Sequence, residues 1–300
     1  MNGVLILDKP PEFTSFDAVA VVRGLTHEKK IGHTGTLDPM ATGVLPLLLG
    51  RAAKAADLLP DTEKEYRAGF CLGQQRDTGD ITGAVTETDN TPVSVEQLKA
   101  AMERFRGEID QIPPMYSAVS VGGKRLYELA RKGIEVERKP RKITISRLEL
   151  LEYDEKKREG VLLAACSKGT YIRVLIEDIA GAAGSCGTMT ALRRTRACGF
   201  SEADAVSLEE LKMQAESGGL GSVLRSTESL FEEYPAVMVS PAQAARFCNG
   251  GALSMNRLKL PRIALAEGTR LCVYEAGGRF LGLAKAAPQQ GELRFLKLFC

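Results

Sequence analysis

Asp38 is the residue whose surroundings most strongly suggest chemistry. It lies within residues 32–45 (GHTGTLDPMATGVL), a segment rich in glycine and threonine. Glycine permits tight or positive-φ backbone, and Pro39 biases Asp38 towards an extended conformation. We therefore predict a rigid loop that holds one carboxylate between two structured elements. Residue types alone also allow a simpler interpretation, an Asp-Pro turn without a chemical role.

Motifs for cofactors and metals are missing from the sequence. It contains no Walker motif and no Gly-x-Gly-x-x-Gly after a predicted strand. The only histidines are His27 and His33, and the seven cysteines nowhere form Cys-x-x-Cys, so the ligand spacing of a zinc site is not found. Scattered cysteines in odd number are typical of reduced thiols in a cytoplasm. We expect no cofactor and no metal.

Positive charge is unevenly distributed along the chain. The formal net charge of +2 is too small to indicate a nucleic-acid partner by itself. Residues 234–300, however, hold nine Lys/Arg and three Asp/Glu, a local charge of +6. Short basic runs elsewhere are usually solvated, but beside a site for nucleic acid they are natural phosphate contacts. The candidates are Lys29, Lys30, Arg141, Lys142, Arg193 and Arg194.

Strand and helix signals alternate along residues 1–233. An apolar run at 4–7 predicts a strand, and Thr14-x-x-Asp17 is a capping box for a helix over 15–25. Similar patterns predict further elements. They are strands at 45–49, 64–70, 143–151 and 161–166, and helices at 51–59, 95–105, 126–132, 170–183 and from Ser207 onward. The alternation indicates a mixture of α and β structure.

Two segments depart from this pattern. Residues 111–142 form a long excursion whose Pro, Gly and Lys content is typical of a mobile lid. From about residue 234, short apolar runs separated by Gly and Pro predict a small β-rich module. No stretch reaches the eighteen or so apolar residues of a membrane span, and the first residues do not resemble a signal peptide. We expect a cytoplasmic protein that does not bind membranes.

The loop around Asp38 resembles the catalytic loop of the TruB family of tRNA pseudouridine synthases, Gly-(His)-x-Gly-x-Leu-Asp-Pro-x-Ala-Thr-Gly. Five further stretches match this family in the same order. They are residues 5–10 (LILDKP), 64–67 (KEYR), 111–118 (QIPPMYSA, followed by Tyr127), 166–173 (CSKGTYIR) and 192–195 (LRRT). The matches span about residues 3–200 and include every catalytic position of the family.

The resemblance implies a fold and an activity. The fold is α+β, with a mixed, mostly antiparallel sheet and flanking helices over residues 1–233, followed by a PUA-like RNA-binding β module over 234–300. The activity is isomerisation of uridine to pseudouridine at position 55, in the T arm of tRNA, on a nucleotide flipped out of its stack. Because substrate and product are isomers, no redox agent, metal or phosphate donor is required.

The resemblance also implies residue roles. Asp38 is the catalytic carboxylate, Arg173 its cationic partner and Tyr66 the ring that stacks on the target base. Tyr171 and Leu192 line the pocket. His33 fills the gap that the extruded uridine leaves in the T loop, and Lys9 and Pro10 support the pocket. Three routes stay open for Asp38, namely attack on the sugar, addition to the base and abstraction of a sugar proton. By residue type alone, Tyr66 and Leu192 are more typical of a core.

Two other functions are compatible with the same motifs. One is a guide-RNA-dependent pseudouridine synthase that works with protein partners, and the other is a noncatalytic protein that binds or folds RNA. The uninterrupted excursion and the short C-terminal module favour a standalone enzyme. We therefore expect tRNA as the partner, with no guide RNA and no obligatory protein partner. Retention of Asp38, Tyr66, Tyr171 and Arg173 together argues against a noncatalytic role.

Overall fold

A long β-sheet forms the centre of the first two thirds of the chain. The computed structural model describes residues 1–260 and 265–300. The strands of the chain up to residue 201, including those outside the long sheet, are β1 (Gly3–Lys9), β2 (Ile31–His33), β3 (Thr42–Leu49), β4 (Lys64–Leu72), β5 (Gln74–Arg76), β6 (Val85–Thr88), β7 (Gly107–Gln111), β8 (Ser120–Val121), β9 (Lys124–Arg125), β10 (Arg141–Asp154), β11 (Glu159–Cys166), β12 (Gly187–Ala197) and β13 (Phe200–Ser201).

The order of strands in the central sheet is β1-β3-β12-β4-β11-β10-β7, with β2 beside β3 and β13 beside β12. The pairing of β12 with β3 is parallel, and the other pairs are antiparallel. Strands β5 and β6 form a separate hairpin, as do β8 and β9. The prediction of a mixed, mostly antiparallel sheet is confirmed.

Several of the helices begin at capping residues. In the described part of the chain the α-helices are α1 (Ser15–Thr26), α2 (Val95–Glu103), α3 (Leu126–Ala130), α4 (Ile172–Ala182), α5 (Leu208–Glu216) and α6 (Pro241–Cys248). The predicted capping box at Thr14 is present, and Ser94 and Ser207 form similar boxes before the helices predicted after them. Each side chain accepts a hydrogen bond from the backbone N–H three residues later. These bonds satisfy N–H groups that have no partner inside the helix.

The sheet buries a different core on each face. Because side chains of a strand alternate between faces, Leu5 and Leu7 of β1 pack into the core under α1, α2, α4 and α5. Val4 and Ile6 of the same strand pack into a second core on the opposite face. The all-apolar strand predicted at residues 4–7 is thus explained by burial on both faces.

The C-terminal residues form a second sheet. Its strands are β14 (Ala236–Val239), β15 (Leu253–Ser254), β16 (Arg270–Glu275), β17 (Phe280–Ala287) and β18 (Glu292–Leu298), in the order β14-β16-β17-β18-β15. The prediction that this part of the chain is rich in β-strands is confirmed, although helix α6 was not predicted. Phe231, Phe280 and Phe299 share a core with Ile6 and Leu48 of the central sheet. The module therefore packs directly on the back of that sheet.

Two local predictions need adjustment. The helix expected at 51–59 is a short 3₁₀ helix, Gly50–Ala55, because three residues per turn place Ala52 and Ala55 on one buried face. The excursion from β7 to β10 holds the hairpin of β8 and β9 followed by α3. No helix in residues 1–260 or 265–300 is long and apolar enough to cross a membrane.

Candidate active site

The loop that carries Asp38 connects β2 to β3 and is fastened at several points. Ser15 Oγ, at the start of α1, accepts a hydrogen bond of 2.8 Å from the backbone N–H of Leu37. Lys9 Nζ donates to the carbonyl oxygen of Pro39 at 3.2 Å, and Ala41 N–H closes a turn on the Asp38 carbonyl at 3.0 Å. Burial lowers the pKa of Lys9 to about 8. These bonds give the loop the rigidity expected from its sequence.

A cavity of about 230 Å³ opens above this loop. Asp38, Tyr66, Tyr171, Arg173 and Leu192 all line it. They come from four elements, namely the loop, β4, the start of α4 and β12. The structure thus brings these five predicted site residues together in one pocket. Tyr116, Ser117 and Ala118 of the excursion form another part of its wall.

Arg173 is held by both charges and backbone carbonyls. Its Nε lies 3.1 Å from Asp38 Oδ2, while Nη1 donates to Thr78 O at 2.6 Å and Nη2 to Tyr116 O at 2.9 Å. Only 5% of Arg173 is exposed. A guanidinium with this many fixed partners has a fixed orientation. It therefore presents its Nε to the carboxylate at a defined position, which excludes a solvated surface arginine.

Asp80 completes the ionic cluster and was not predicted from the sequence. Its Oδ2 lies 3.9 Å from Arg173 Nε, and its Oδ1 accepts hydrogen bonds from Thr78 Oγ1 at 2.9 Å and from Thr82 N–H at 3.0 Å. Asp80 is buried. Arg173 is thus placed between two carboxylates, of which one faces the pocket and the other is tied to its own turn.

Burial and Asp80 act on Asp38 in the same direction. Loss of hydration is the main cause that raises the pKa of the Asp38 carboxyl above its ordinary value, and the negative charge of Asp80 raises it further. The positive charge of Arg173 opposes both effects. About a third of the Asp38 side chain, 34%, is exposed to the pocket. Arg173 is therefore the group that favours an ionised carboxylate at this position.

Two tyrosines and a leucine shape the remaining wall. Tyr66 is buried on β4, and burial raises the pKa of its phenol, which stays protonated at neutral pH. Leu192 lies on the neighbouring strand β12, paired with Ala68 of β4. The backbone of Tyr171 is clamped by Gln111, whose Oε1 accepts from Tyr171 N–H at 2.8 Å and whose Nε2 donates to Tyr171 O at 3.1 Å. Gln111 thereby joins the start of the excursion to the start of α4.

His33 lies beside the pocket and is not among the residues that line it. It ends β2, opposite Leu47 of β3. Burial and the nearby Arg194 lower the pKa of its imidazole, so the ring is neutral at neutral pH. Its Nδ1 is buried without a hydrogen-bond partner among the described residues. A neutral ring can stack on a base without the cost of desolvating a charge.

The predicted phosphate contacts fall into different environments. Lys29, Lys30, Arg141 and Lys142 are exposed, although Lys142 Nζ forms an ion pair of 2.6 Å with Glu108. Arg193 is partly exposed and pairs with two carboxylates, those of Asp8 and Glu202. Its charge is therefore already compensated within the protein.

The prediction for Arg194 is wrong. This residue is completely buried, and its guanidinium donates to the carbonyl oxygens of Val44 at 2.6 Å and Gly35 at 3.2 Å. Its strand lies against Gly43, where an added Cβ would meet Arg194 O at 2.3 Å. Arg194 therefore holds the catalytic loop from inside, and RNA cannot reach it. The strand period explains the error, since neighbours in a basic run point to opposite faces.

Sequence reasoning also missed Lys64, which lines the pocket two residues before Tyr66. The strand period would have found it, because residues i and i+2 share a face. Nothing near Asp80 in the sequence distinguishes it from other aspartates in turns. No group of three or more His, Cys, Asp or Glu side chains within the described ranges is arranged to hold a metal ion.

Comparisons with known proteins identify the relatives of this chain. Residues 23–172 match the TruB family pseudouridylate synthase N-terminal domain, and residues 173–232 match the tRNA pseudouridylate synthase B C-terminal domain. A protein of Azoarcus sp. (strain BH72) named tRNA pseudouridine synthase B is 43% identical over 98% of this chain and 93% of its own. One of the same name from Caulobacter vibrioides is 38% identical over 100% of this chain and 96% of its own.

Solved structures with the same fold come from complexes that contain Cbf5 and Nop10. The protein in the crystal structure of a Cbf5-Nop10-Gar1 complex superposes with a TM-score of 0.76 and 26% identity, over 99% of this chain and 85% of that one. A chain of the archaeal box H/ACA sRNP Nop10-Cbf5 complex superposes with a TM-score of 0.74 and 26% identity, over 100% of this chain and 86% of that one. The fold is therefore the pseudouridine synthase fold. With matches over nearly its whole length, the chain belongs to the TruB family of pseudouridylate synthases and is an enzyme that isomerises uridine to pseudouridine.

Proposed function

We propose that this enzyme converts uridine 55 in the T arm of tRNA to pseudouridine, with Asp38 as the catalytic carboxylate. The observation that carries the proposal is the pairing of Asp38 with Arg173 at 3.1 Å inside a pocket lined by Tyr66, Tyr171 and Leu192. The pairing favours the ionised carboxylate that each route open to Asp38 requires. The aromatic walls supply a place for one base.

The choice of tRNA as substrate rests on the relatives. Proteins named tRNA pseudouridine synthase B match this chain at 38–43% identity over almost its full length. Asp38 lies at the base of a pocket, so a uridine stacked inside the T loop cannot reach it. The nucleotide must therefore leave its stack, at a cost of a few kcal/mol, and about 1–3 kcal/mol is recovered by stacking on Tyr66. His33, at the pocket's side, is suited to take the vacated place in the loop.

Two further segments serve RNA binding in this proposal. The excursion over 111–142 closes on the T loop, and its contact with Arg173 through Tyr116 O brings it to the pocket edge. Residues 234–300 form the PUA-like module, which adds positive charge next to the catalytic domain of residues 1–233. Lys29, Lys30, Arg141 and Lys142 are exposed candidates for phosphate contacts.

The enzyme acts alone in this proposal, in the cytoplasm, without a guide RNA. The solved structures with the same fold include guide-RNA complexes, but their identity to this chain is only 26%. The tRNA pseudouridine synthases B are more similar in sequence and are covered over 92–96% of their length. These relatives favour the standalone enzyme over the guide-dependent alternative.

An unmodified tRNA transcript incubated with the purified protein tests the proposal. Pseudouridine is labelled chemically and located by mass spectrometry of nuclease fragments. The expected product is a single modified uridine at position 55, formed without added guide RNA or metal. Matched transcripts with cytidine at position 55 should remain unlabelled. Modification elsewhere, or only after addition of a guide RNA, would contradict the proposal.

A further inference from the structure

Lys64 is a buried cation that faces the pocket. It is the first residue of β4, and its side chain lines the cavity next to Tyr66. Only 8% of Lys64 is exposed. Because residues i and i+2 of a strand point to the same face, the ammonium and the Tyr66 ring flank the same space. Lys64 is therefore positioned beside the nucleotide that Tyr66 would stack on.

No negative charge within the described part of the chain compensates Lys64. Its Nζ forms no ion pair and no hydrogen bond there, and burial, together with the positive charges of Arg194 and Lys168, lowers the pKa of its ammonium. The other neighbours are the thiols of Cys166 and Cys198. Burial raises the pKa of both thiols, that of Cys166 to about 11, so they are neutral near pH 7. Arg173, by contrast, lies next to the carboxylates of Asp38 and Asp80.

The loop that carries Asp38 lies close to the end of the Lys64 side chain. A Cβ added to Gly35 would come within 2.9 Å of Lys64 Cε and 3.4 Å of Nζ. Glycine at this position therefore leaves room for the lysine side chain between the catalytic loop and β4. Burial without a counter-ion is costly for a cation, which implies a partner that arrives from outside.

We infer that Lys64 binds a phosphate oxygen flanking the target uridine once the nucleotide is in the pocket. The inference rests on the proposed function, since it needs a flipped nucleotide beside Tyr66. A phosphate is favoured over a base carbonyl because the ammonium of Lys64 has no carboxylate partner among the described residues, and the buried Arg194 beside it adds positive charge that attracts an anion. The bond would anchor the backbone of the nucleotide while the base is free to detach and rotate.

The test compares Lys64→Met with the wild type on two sets of T-arm stem-loops. One set has ordinary phosphates, and the other has a neutral methylphosphonate on either the 5′ or the 3′ side of the target uridine. Met nearly preserves length and removes a buried charge, so the variant should melt no lower than the wild type. Lys156→Met, in an exposed turn at the far end of β10 and β11, controls for the loss of one positive charge.

Three results are expected. Lys64→Met lowers kcat/KM on the ordinary stem-loop by about 10- to 100-fold, the range for a lost charged hydrogen bond, whereas Lys156→Met changes it less than about twofold. One of the two methylphosphonates lowers kcat/KM of the wild type by a similar factor. That same methylphosphonate then causes no further loss in Lys64→Met, because the contact is already gone.

Other results would overturn the inference. Equal losses in wild type and Lys64→Met from both methylphosphonates would show that Lys64 does not bind either phosphate, as would full activity of Lys64→Met. If that variant does not fold, Lys64→Gln replaces it. The inference is also overturned if neither methylphosphonate changes kcat/KM of the wild type. Wild type that makes no pseudouridine on ordinary stem-loops would instead contradict the proposed function itself.

Discussion

Arg173 Nε lies 3.1 Å from Oδ2 of Asp38. The same nitrogen lies 3.9 Å from Oδ2 of Asp80, so one guanidinium serves two carboxylates. Backbone carbonyls of Thr78 and Tyr116 hold its other nitrogens. The protonation of Asp38 therefore depends on burial and Asp80, which raise its pKa, and on Arg173 and, to a smaller extent, Lys9, which lower it. Each of them can be changed separately by mutation.

Asp38→Asn should abolish isomerisation while tRNA binding stays within a few fold. The amide keeps the shape of the carboxylate but cannot act as a nucleophile or base, so we expect a loss of about 10⁴-fold or more in rate. Single-turnover pseudouridine formation and filter binding on the same transcript measure the two quantities. Residual turnover close to wild type would remove Asp38 from the mechanism.

The same variant should be more stable than the wild type at neutral pH. The pKa of Asp38 is raised in the folded state, so its stabilising contribution is present at low pH and is lost as pH rises through that value. Asparagine resembles the neutral form at every pH. The melting temperature should therefore rise at pH 7 and change less at pH 4. A lower melting temperature at pH 7 would show that the Arg173 contact outweighs burial.

Arg173→Met should move the acidic limb of the pH–rate profile to higher pH. Removal of the guanidinium leaves burial and Asp80 to raise the pKa of Asp38 further, and ionised Asp38 is required. The rate should fall at all pH values because orientation is also lost. The profile of kcat/KM measured from pH 5 to 9 is the readout. A folded, active variant whose limb does not move would show that the pair is not coupled.

Asp80→Asn should move the acidic limb in the opposite direction. Asp80 raises the pKa of Asp38, so its neutralisation lowers that pKa and extends activity to lower pH. The amide oxygen still accepts the bonds from Thr78 and Thr82 that hold its turn. The opposite shifts of this variant and Arg173→Met distinguish an electrostatic effect from a general disturbance. Shifts in the same direction would contradict the account.

Tyr66→Ala and Tyr66→Phe form a matched pair. Alanine loses the ring, and we expect kcat/KM to drop by about 5- to 150-fold because stacking is worth about 1–3 kcal/mol per base. Phenylalanine keeps the ring and should retain most activity. Circular dichroism checks that both variants are folded, since Tyr66 is buried. Equal impairment of the two would assign the function to the hydroxyl.

The C-terminal module should strengthen tRNA binding without changing the chemical step. It shares a core with the central sheet, so deletion would expose apolar surface, and neutralisation is the cleaner test. Replacement of Arg257, Lys259 and Lys285 by Gln should reduce the slope of log affinity against log salt, by up to about one per lost phosphate contact. Turnover at saturating tRNA should stay near wild type.

A triple variant of Lys99, Lys156 and Lys157, which are exposed on the catalytic domain, serves as the control for that experiment. It removes the same formal charge from a different surface. An equal loss of salt slope in both triple variants would indicate a general charge effect. Lost turnover at saturation in the module variant would indicate that the module helps to shape the catalytic cleft.

Local chemistry made several features predictable from the sequence alone. Capping boxes at Thr14, Ser94 and Ser207 begin helices wherever they occur, because each one satisfies its own nearby N–H groups. Glycines and Pro39 likewise restrict the Asp38 loop through their own backbone geometry. Such signals need no distant partner. Family resemblance added the grouping of Tyr66, Tyr171, Arg173 and Leu192, which local chemistry does not contain.

Only the tertiary structure decided which side chains are buried or paired. Arg193 and Arg194 are adjacent in one basic run, but the strand turns one towards Asp8 and the other into the interior. Asp80 becomes a partner of Arg173 because the turn after β5 meets the start of α4. Lys64 has no carboxylate partner within the described residues because strand register places Cys166 and Ala197 beside it. Charge and burial at these positions depend on strand register and long-range contacts, which residue type and spacing do not encode.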